Sequence, residues 1–174
     1  HLDHQEKFGQ IKDYYDLTIT GSSLSKMVAL GGYRFGWFVF NSDKLDELYN
    51  LSQIIASATY SCPSKIFQYV AVKALEAGNE ITNFLNFKRK IFTHIAKYIK
   101  KELNKKKIIY SDCNGAWYIL LNFDNYKKKL RNLNIKSSND LTNYLINTFG
   151  IITVSGTAFG IQENIILRLS YVDI

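Results

Sequence analysis

The chain has 174 residues, of which 47% are hydrophobic and 21% charged. That is enough apolar material for a sizeable core, and it excludes disorder and a collagen-like repeat. No apolar run approaches the roughly 18 residues that a membrane span requires, so no membrane partner is expected. Cys62 and Cys113 are too few for a disulfide scaffold and lack metal-ligand spacing. They point to a reducing, intracellular and cytoplasmic setting without a structural metal. The chain opens on His1 without an initiator Met and reads as part of a longer protein, which leaves organelle targeting open. His1 and His4, a terminal pair without carboxylate support, are not read as ligands.

Leu17 to Thr20 alternates apolar and hydroxyl residues before Gly21-Ser22, a pattern that predicts a short strand ending in a turn. Beyond Gly31-Gly32, the aromatic and β-branched run Tyr33 to Phe40 predicts a second strand. Ser42 is a good N-cap, followed by Asp43, Asp46 and Glu47 on the first turn of a helix predicted to about Ala58. Leu45, Leu48 and Ile55 form its expected inner face. Pro63 opens another helix that ends near Gly78, and Asn79 caps a long basic one. In that helix Ile81, Leu85, Phe92, Ile95, Ile99 and Leu103 make one apolar stripe, with Lys90, Lys97 and Lys101 opposite.

The segment from Lys88 to Lys107 carries more than the whole net charge of +7. Phe84, Phe87 and Phe92 fall on or beside the buried stripe, so the basic face is read as solvated and nucleic acid is not expected as a partner. A second basic cluster, Lys127-Lys128-Lys129 with Arg131, sits in a loop or short helix and is read as serving solubility. His94 falls on a flank of the long helix, half exposed. Strands are predicted at Ile108 to Tyr110 and Ala116 to Phe123, flanking the turn Asp112-Cys113-Asn114-Gly115. Ser138 opens a helix carrying Leu141, Tyr144 and Leu145, which Gly150 stops; Ile151 to Val154 and Ile165 to Tyr171 complete the strands. The order is a strand pair, three helices and a small mixed unit with its own strands, with the domain boundary inside the long helix, between about residues 80 and 95.

The informative constellation is Gly21-Ser22-Ser23-Leu24-Ser25-Lys26, followed by Arg34 in Gly31-Gly32-Tyr33-Arg34-Phe35-Gly36-Trp37. Lysine can condense with a carbonyl, hydroxyls can donate to phosphate, and a guanidinium fork matches phosphate geometry, so the set suits a phosphorylated aldehyde cofactor. Glycines flanking Arg34 let backbone approach a ligand closely. Arg168 stands alone in the apolar run Ile165-Ile166-Leu167-Arg168-Leu169. A charge in a half-buried strand calls for an anionic partner, either internal or a ligand.

Ser-Leu-Ser-Lys followed by Gly-Gly-Tyr-Arg-Phe-Gly resembles the pyridoxal-phosphate lysine segment of the class I/II aminotransferases, which have PLP-dependent transferase fold type I. Ser61 to Leu75, Asn114-Gly115-Ala116-Trp117-Tyr118, and Gly150 to Gly160 with Leu167-Arg168-Leu169-Ser170-Tyr171 resemble later family stretches in order. Cys113 stands where the family usually has proline. The resemblance implies the second half of the large α/β domain, 1–86, and the small α+β C-terminal domain, 87–174. Lys26 would form the Schiff base with pyridoxal 5'-phosphate and then shuttle a proton to and from the substrate Cα, which requires the neutral amine. Ser23, Arg34 and, more weakly, Ser25 would hold the cofactor phosphate, and Arg168 would bind the substrate α-carboxylate.

The activity implied is amino-group transfer between an amino acid and a 2-oxo acid by a homodimer. The chain lacks the acid that pairs with the pyridine nitrogen, and Asp3 lies too close to Lys26 in sequence to serve, so this segment alone is expected to be inactive. Three alternatives remain: a PLP-dependent lyase or synthase of the same fold, a non-catalytic regulatory module, and a serine acyltransferase. The last rests on Ser23-Leu24-Ser25-Lys26 as a Ser-x-x-Lys motif; Ser111-Asp112-Cys113 and Val154-Ser155-Gly156-Thr157 fit its later motifs badly.

Overall fold

The computed structural model describes residues 9–172; His1, Asp3 and His4 lie outside the described residues. The chain divides into two compact units between Lys88 and Arg89, within one helix.

In the first unit, β1 (Ile19–Ser23) pairs antiparallel with β2 (Gly36–Phe40), from Ile19 opposite Phe40 to Ser23 opposite Gly36. The Asn41 amide closes the outer end by donating to the Thr18 carbonyl and to the Thr18 and Thr20 hydroxyls, each at 3.0 Å. The strand thus runs through Gly21-Ser22, where the sequence predicted a turn. Gly21 lies opposite Phe38, and a Cβ there would sit 3.0 Å from the Phe38 ring. The glycine makes room for that ring within an extended chain.

After the single-turn helix α1 (Leu24–Met27) comes a 3₁₀ turn at Gly31–Tyr33, so the second strand, expected from Tyr33, begins only at Gly36. Ser42 accepts from the Lys44 amide at 3.3 Å and caps a 3₁₀ turn that leads into α2 (Asp46–Thr59). Then come α3 (Lys65–Glu76), ended at Gly78 with φ +50°, and α4 (Asn79–Lys105), which crosses the division. Only Leu24 and Ala71 are buried apolar residues among those described in this unit. The expected inner face of α2 is not inner: Leu48 is 45% and Ile55 62% exposed, because no described segment covers that side.

The second unit is built on a four-stranded antiparallel sheet in the order β3-β4-β6-β5: β3 (Ile109–Tyr110), β4 (Tyr118–Asn122), β5 (Val154–Ser155) and β6 (Ile166–Ser170). The short helix α5 (Lys127–Arg131) and α6 (Ser138–Phe149) lie between β4 and β5 in sequence. Ile135, Leu141, Ile165 and Leu167 form one buried cluster, flanked by Phe123, Leu130, Tyr144 and Leu145. Elsewhere in the unit Phe92 packs its ring 5.7 Å from Trp117 and 6.3 Å from Tyr171. The α4 stripe keeps Phe92 buried and Ile95, Ile99 and Leu103 partly so, while Lys90, Lys97 and Lys101 are exposed. Phe84 and Phe87 are more exposed than their position beside the stripe predicted, at 44% and 63%.

Two polar residues fix where β6 begins. Asp124 accepts from the Ile165 amide at 3.0 Å and from the Asn164 side chain, and pairs with Lys127 at 2.9 Å. Ser138, 1% exposed, donates to the Asn164 carbonyl at 3.0 Å and accepts from the Ile166 amide at 2.9 Å. The helix opens at Ser138 as expected, with Ser137 as its N-cap and Asp140 completing a capping box. The predicted strand Ile151 to Val154 begins only at Val154, the Ile151 amide being spent on the Leu145 carbonyl at the end of α6, and a 3₁₀ turn at Gly156–Phe159 ends it after Ser155.

Asp124 loses some acidity to burial, but the bonds from Asn164, Ile165 and Lys127 outweigh that and hold its carboxyl below the usual 3.8. A depressed folded-state pKa gives stability that is present above the unfolded value and lost as pH falls through the folded one. Asp124→Asn should therefore cost about 1–2 kcal/mol at neutral pH and flatten the acid limb below pH 3.8, read by urea denaturation across pH. Tyr171 is fully buried, and burial, reinforced by Cys113, pushes its phenol up to about 12. A raised folded-state pKa has the opposite consequence: stability is complete below the usual 10.0 and is lost as pH rises toward 12. In Tyr171→Phe that alkaline decline should be shallower, measured by thermal unfolding between pH 9 and about 12.

Candidate active site

The β1–β2 ladder ends at Ser23 opposite Gly36, and the intervening chain closes into a loop on the Leu24 amide, which donates to the Phe35 carbonyl at 3.3 Å. Leu24, fully buried, anchors it, and its carbonyl accepts from the Val28 amide at 3.2 Å and the Leu30 amide at 3.3 Å. The 3₁₀ turn before Arg34 is held by Tyr33, whose ring stacks 4.6 Å from Phe67 of α3. One closed loop thus carries Ser23, Ser25, Lys26 and Arg34, four of the five site residues expected from the sequence.

Ser23 is half-buried and extended, and its hydroxyl does not cap α1. Lys26 lies in the last turn of α1, exposed. Arg34 takes a left-handed backbone, φ 53°, which turns its guanidinium back so that Nη1 donates to the Gly31 carbonyl at 2.9 Å. The remaining guanidinium donors stay exposed. A Cβ on Gly32 would meet nothing within 4 Å, whereas one on Gly36 would come within 3.0 Å of the Ser22 carbonyl. Of the two glycines flanking Arg34 that were expected to admit a ligand, Gly36 serves strand packing instead.

Lys88 entered the sequence reading only through the charge of the long helix, and the structure places it against the lysine loop. Its Nζ lies 3.4 Å from the Lys26 carbonyl and 3.5 Å from that of Met27, and 5.4 Å from the Phe84 ring centre. Burial lowers its pKa. The spacing carried this signal: position 88 falls three after Leu85 and four before Phe92, on the apolar stripe itself. Lys88 thereby satisfies carbonyls at the end of the one-turn helix that bears Lys26. An exposed amine, an arginine fork with unspent donors, an uncommitted hydroxyl and open space at Gly32 fit a phosphorylated aldehyde such as pyridoxal phosphate.

Arg168 belongs to the other unit. It sits mid-strand in β6, opposite Leu120 of β4 and Val154 of β5, on the sheet face away from the Ile165 and Leu167 cluster. Its guanidinium carbon lies 4.5 Å from the Tyr118 ring centre and 4.8 Å from that of Phe159. It makes no ion pair among the described residues, and its Nε is buried without a hydrogen-bond partner. Of the two anionic partners expected from sequence, an internal carboxylate is therefore not among the described residues.

Comparison with known proteins places the chain in a family. The model for "Aminotransferase class I and II" matches residues 2–173. An aspartate/prephenate aminotransferase from Cereibacter sphaeroides is 29% identical over 160 residues, covering 90% of this chain and 38% of that protein. An aspartate aminotransferase from Sulfurisphaera tokodaii is 26% identical, covering 86% of this chain and 35% of its own length. The chain thus spans well under half of the curated relatives it matches. Among solved structures, a mutant of the Thermus thermophilus aspartate aminotransferase superposes with a TM-score of 0.81 at 18% identity, covering 98% of this chain and 43% of that one. The aromatic aminotransferase from Pyrococcus horikoshii does so with a TM-score of 0.73 at 25% identity, covering 90% and 38%. The α/β class and the fold type I architecture expected from the sequence are those of these structures. The family match spans both units from the first strand pair to the last strand, and the chain belongs to the class I and II aminotransferases.

Proposed function

We propose that the chain is the C-terminal part of a longer pyridoxal-phosphate-dependent aminotransferase that moves an amino group between an amino acid and a 2-oxo acid. The observation that carries this reading is the closed loop of Ser23, Ser25, Lys26 and Arg34 in a chain of this family. The relatives' names, aspartate/prephenate and aspartate aminotransferase, support transamination of that kind. In this proposal the first unit is the end of the large domain and the second is the small domain. The exposed apolar side chains of α2 and α3, such as Ile54 at 65% and Ile66 at 71%, support a longer protein that covers them and assembles as a homodimer.

Bound pyridoxal phosphate supplies the electron sink that makes the substrate Cα proton removable. Lys26 Nζ would hold the cofactor through its aldehyde and, as a neutral amine, would take and return the proton at substrate Cα. Ser23 donates its hydroxyl to the phosphate, and Arg34 gives the guanidinium donors not used on Gly31, with Ser25 assisting. Lys88 keeps the Lys26 turn closed. Arg168 holds the substrate α-carboxylate through a charge-assisted pair, which the absence of an ion pair to it among the described residues supports.

Two substitutions in the complete protein separate these duties. Arg168→Ala should lower kcat/KM for the amino acid on the order of 100-fold while the cofactor's absorbance band stays. Arg34→Ala should do the reverse, weakening cofactor retention roughly tenfold or more, measured by dialysis against buffer. If Arg168→Ala leaves turnover of every amino acid intact, or Arg34→Ala leaves retention intact, the corresponding assignment is wrong.

A further inference from the structure

Arg168 is gripped by two side chains whose positions core packing does not explain. Tyr118 is 37% and Phe159 49% exposed, yet both rings lie within 5 Å of the guanidinium carbon. Each ring reaches it by a different device. Tyr118 is set by the ladder: it faces Ser170, two residues along β6 from Arg168 and on the same face. Phe159 rides on the Gly156–Phe159 turn, which presses onto β6 so closely that a Cβ on Gly156 would lie 2.9 Å from the Ile166 carbonyl. Ser155 caps that turn by accepting from the Thr157 amide at 3.3 Å, and the Thr157 hydroxyl donates to the Asn139 side chain at 2.7 Å. Gly160, φ +81°, ends it.

We propose that Tyr118 and Phe159 are positioning residues that clamp the guanidinium of Arg168 between their rings and so fix the plane in which it meets a substrate carboxylate. The proposal rests on the reading of Arg168 as the carboxylate-binding residue. Rings over a guanidinium offer attraction without consuming its N–H donors, and they keep water off its faces, which strengthens the bonds made at its edge. Nε is already buried without a hydrogen-bond partner, whereas the two terminal nitrogens lie at the open end of the fork, with no ion pair to them among the described residues. The carboxylate is therefore met end-on, by a fork whose orientation the two rings have fixed before binding.

The test uses the complete protein with Tyr118→Leu, Phe159→Leu, the ring-preserving Tyr118→Phe and Phe159→Tyr, and Arg168→Ala as reference. Each leucine variant should raise KM for the amino acid on the order of tenfold, with kcat within about threefold and the cofactor band unmoved. The ring-preserving variants should stay within about twofold of the parent. In ¹⁵N-labelled protein the Arg168 Nε proton should resonate upfield of other arginines and return to the ordinary position in either leucine variant. This readout does not depend on turnover. Parent-like KM in both leucine variants, an ordinary Nε proton shift in the parent, or Tyr118→Phe as impaired as Tyr118→Leu would overturn the clamp. If Arg168→Ala abolishes turnover and the ring variants change nothing, the clamp alone falls. If Arg168→Ala leaves turnover intact, the carboxylate reading falls with it.

Discussion

The pairing of β6 with β4 decides what the second unit can do. In an antiparallel strand, successive side chains point to opposite faces, so a slip of one residue would drive the Arg168 charge into the Ile135, Leu141 and Ile165 cluster and turn Leu167 out. An unpaired charge in that cluster would cost several kcal/mol, which makes the register a strong constraint. It is set before the strand begins: Asp124 and the buried Ser138 together bind residues 164 to 166. The position of the arginine follows from those bonds two to four residues upstream.

The first unit solves a different problem with the same kind of ladder. A lysine that is to react with an aldehyde must stand at the surface on a turn that does not drift. A one-turn helix has almost no stability of its own, because nucleation fixes several dihedrals for one bond. Here the turn is closed by β1 and β2 on one side, filled underneath by Leu24, and satisfied at its far end by Lys88. Lys26 and Arg34 are thus exposed, Ser23 and Ser25 half-buried, while Leu24 beneath them is buried.

Much of this was legible in the sequence, and the exceptions share a cause. The long helix, its apolar stripe, the Gly150 stop and the isolation of Arg168 in an apolar run were readable because each depends on local spacing. The lysine segment was readable because its residues are close together. Gly21 and Gly36 were misread as a turn and a ligand approach because their reason is a cross-strand neighbour, the Phe38 ring and the Ser22 carbonyl, which local composition does not reveal. Ser138 was readable as the start of a helix, but not as the residue whose hydroxyl reaches a strand 28 residues away. The stack of Phe159 on Arg168 joins two segments through a turn whose need for Gly156 only the packed structure shows. The α2 face was readable as apolar, but nothing in the sequence said that no described segment would cover it.

The central claim is that Lys26 is the residue through which the complete protein engages its cofactor. Borohydride reduction of the complete protein in the presence of pyridoxal phosphate, followed by peptide mapping, tests it most directly. The account predicts a pyridoxyl group on Lys26 and on no other lysine. A stable adduct on another lysine, the neighbouring Lys88 included, with Lys26 unmodified would contradict it.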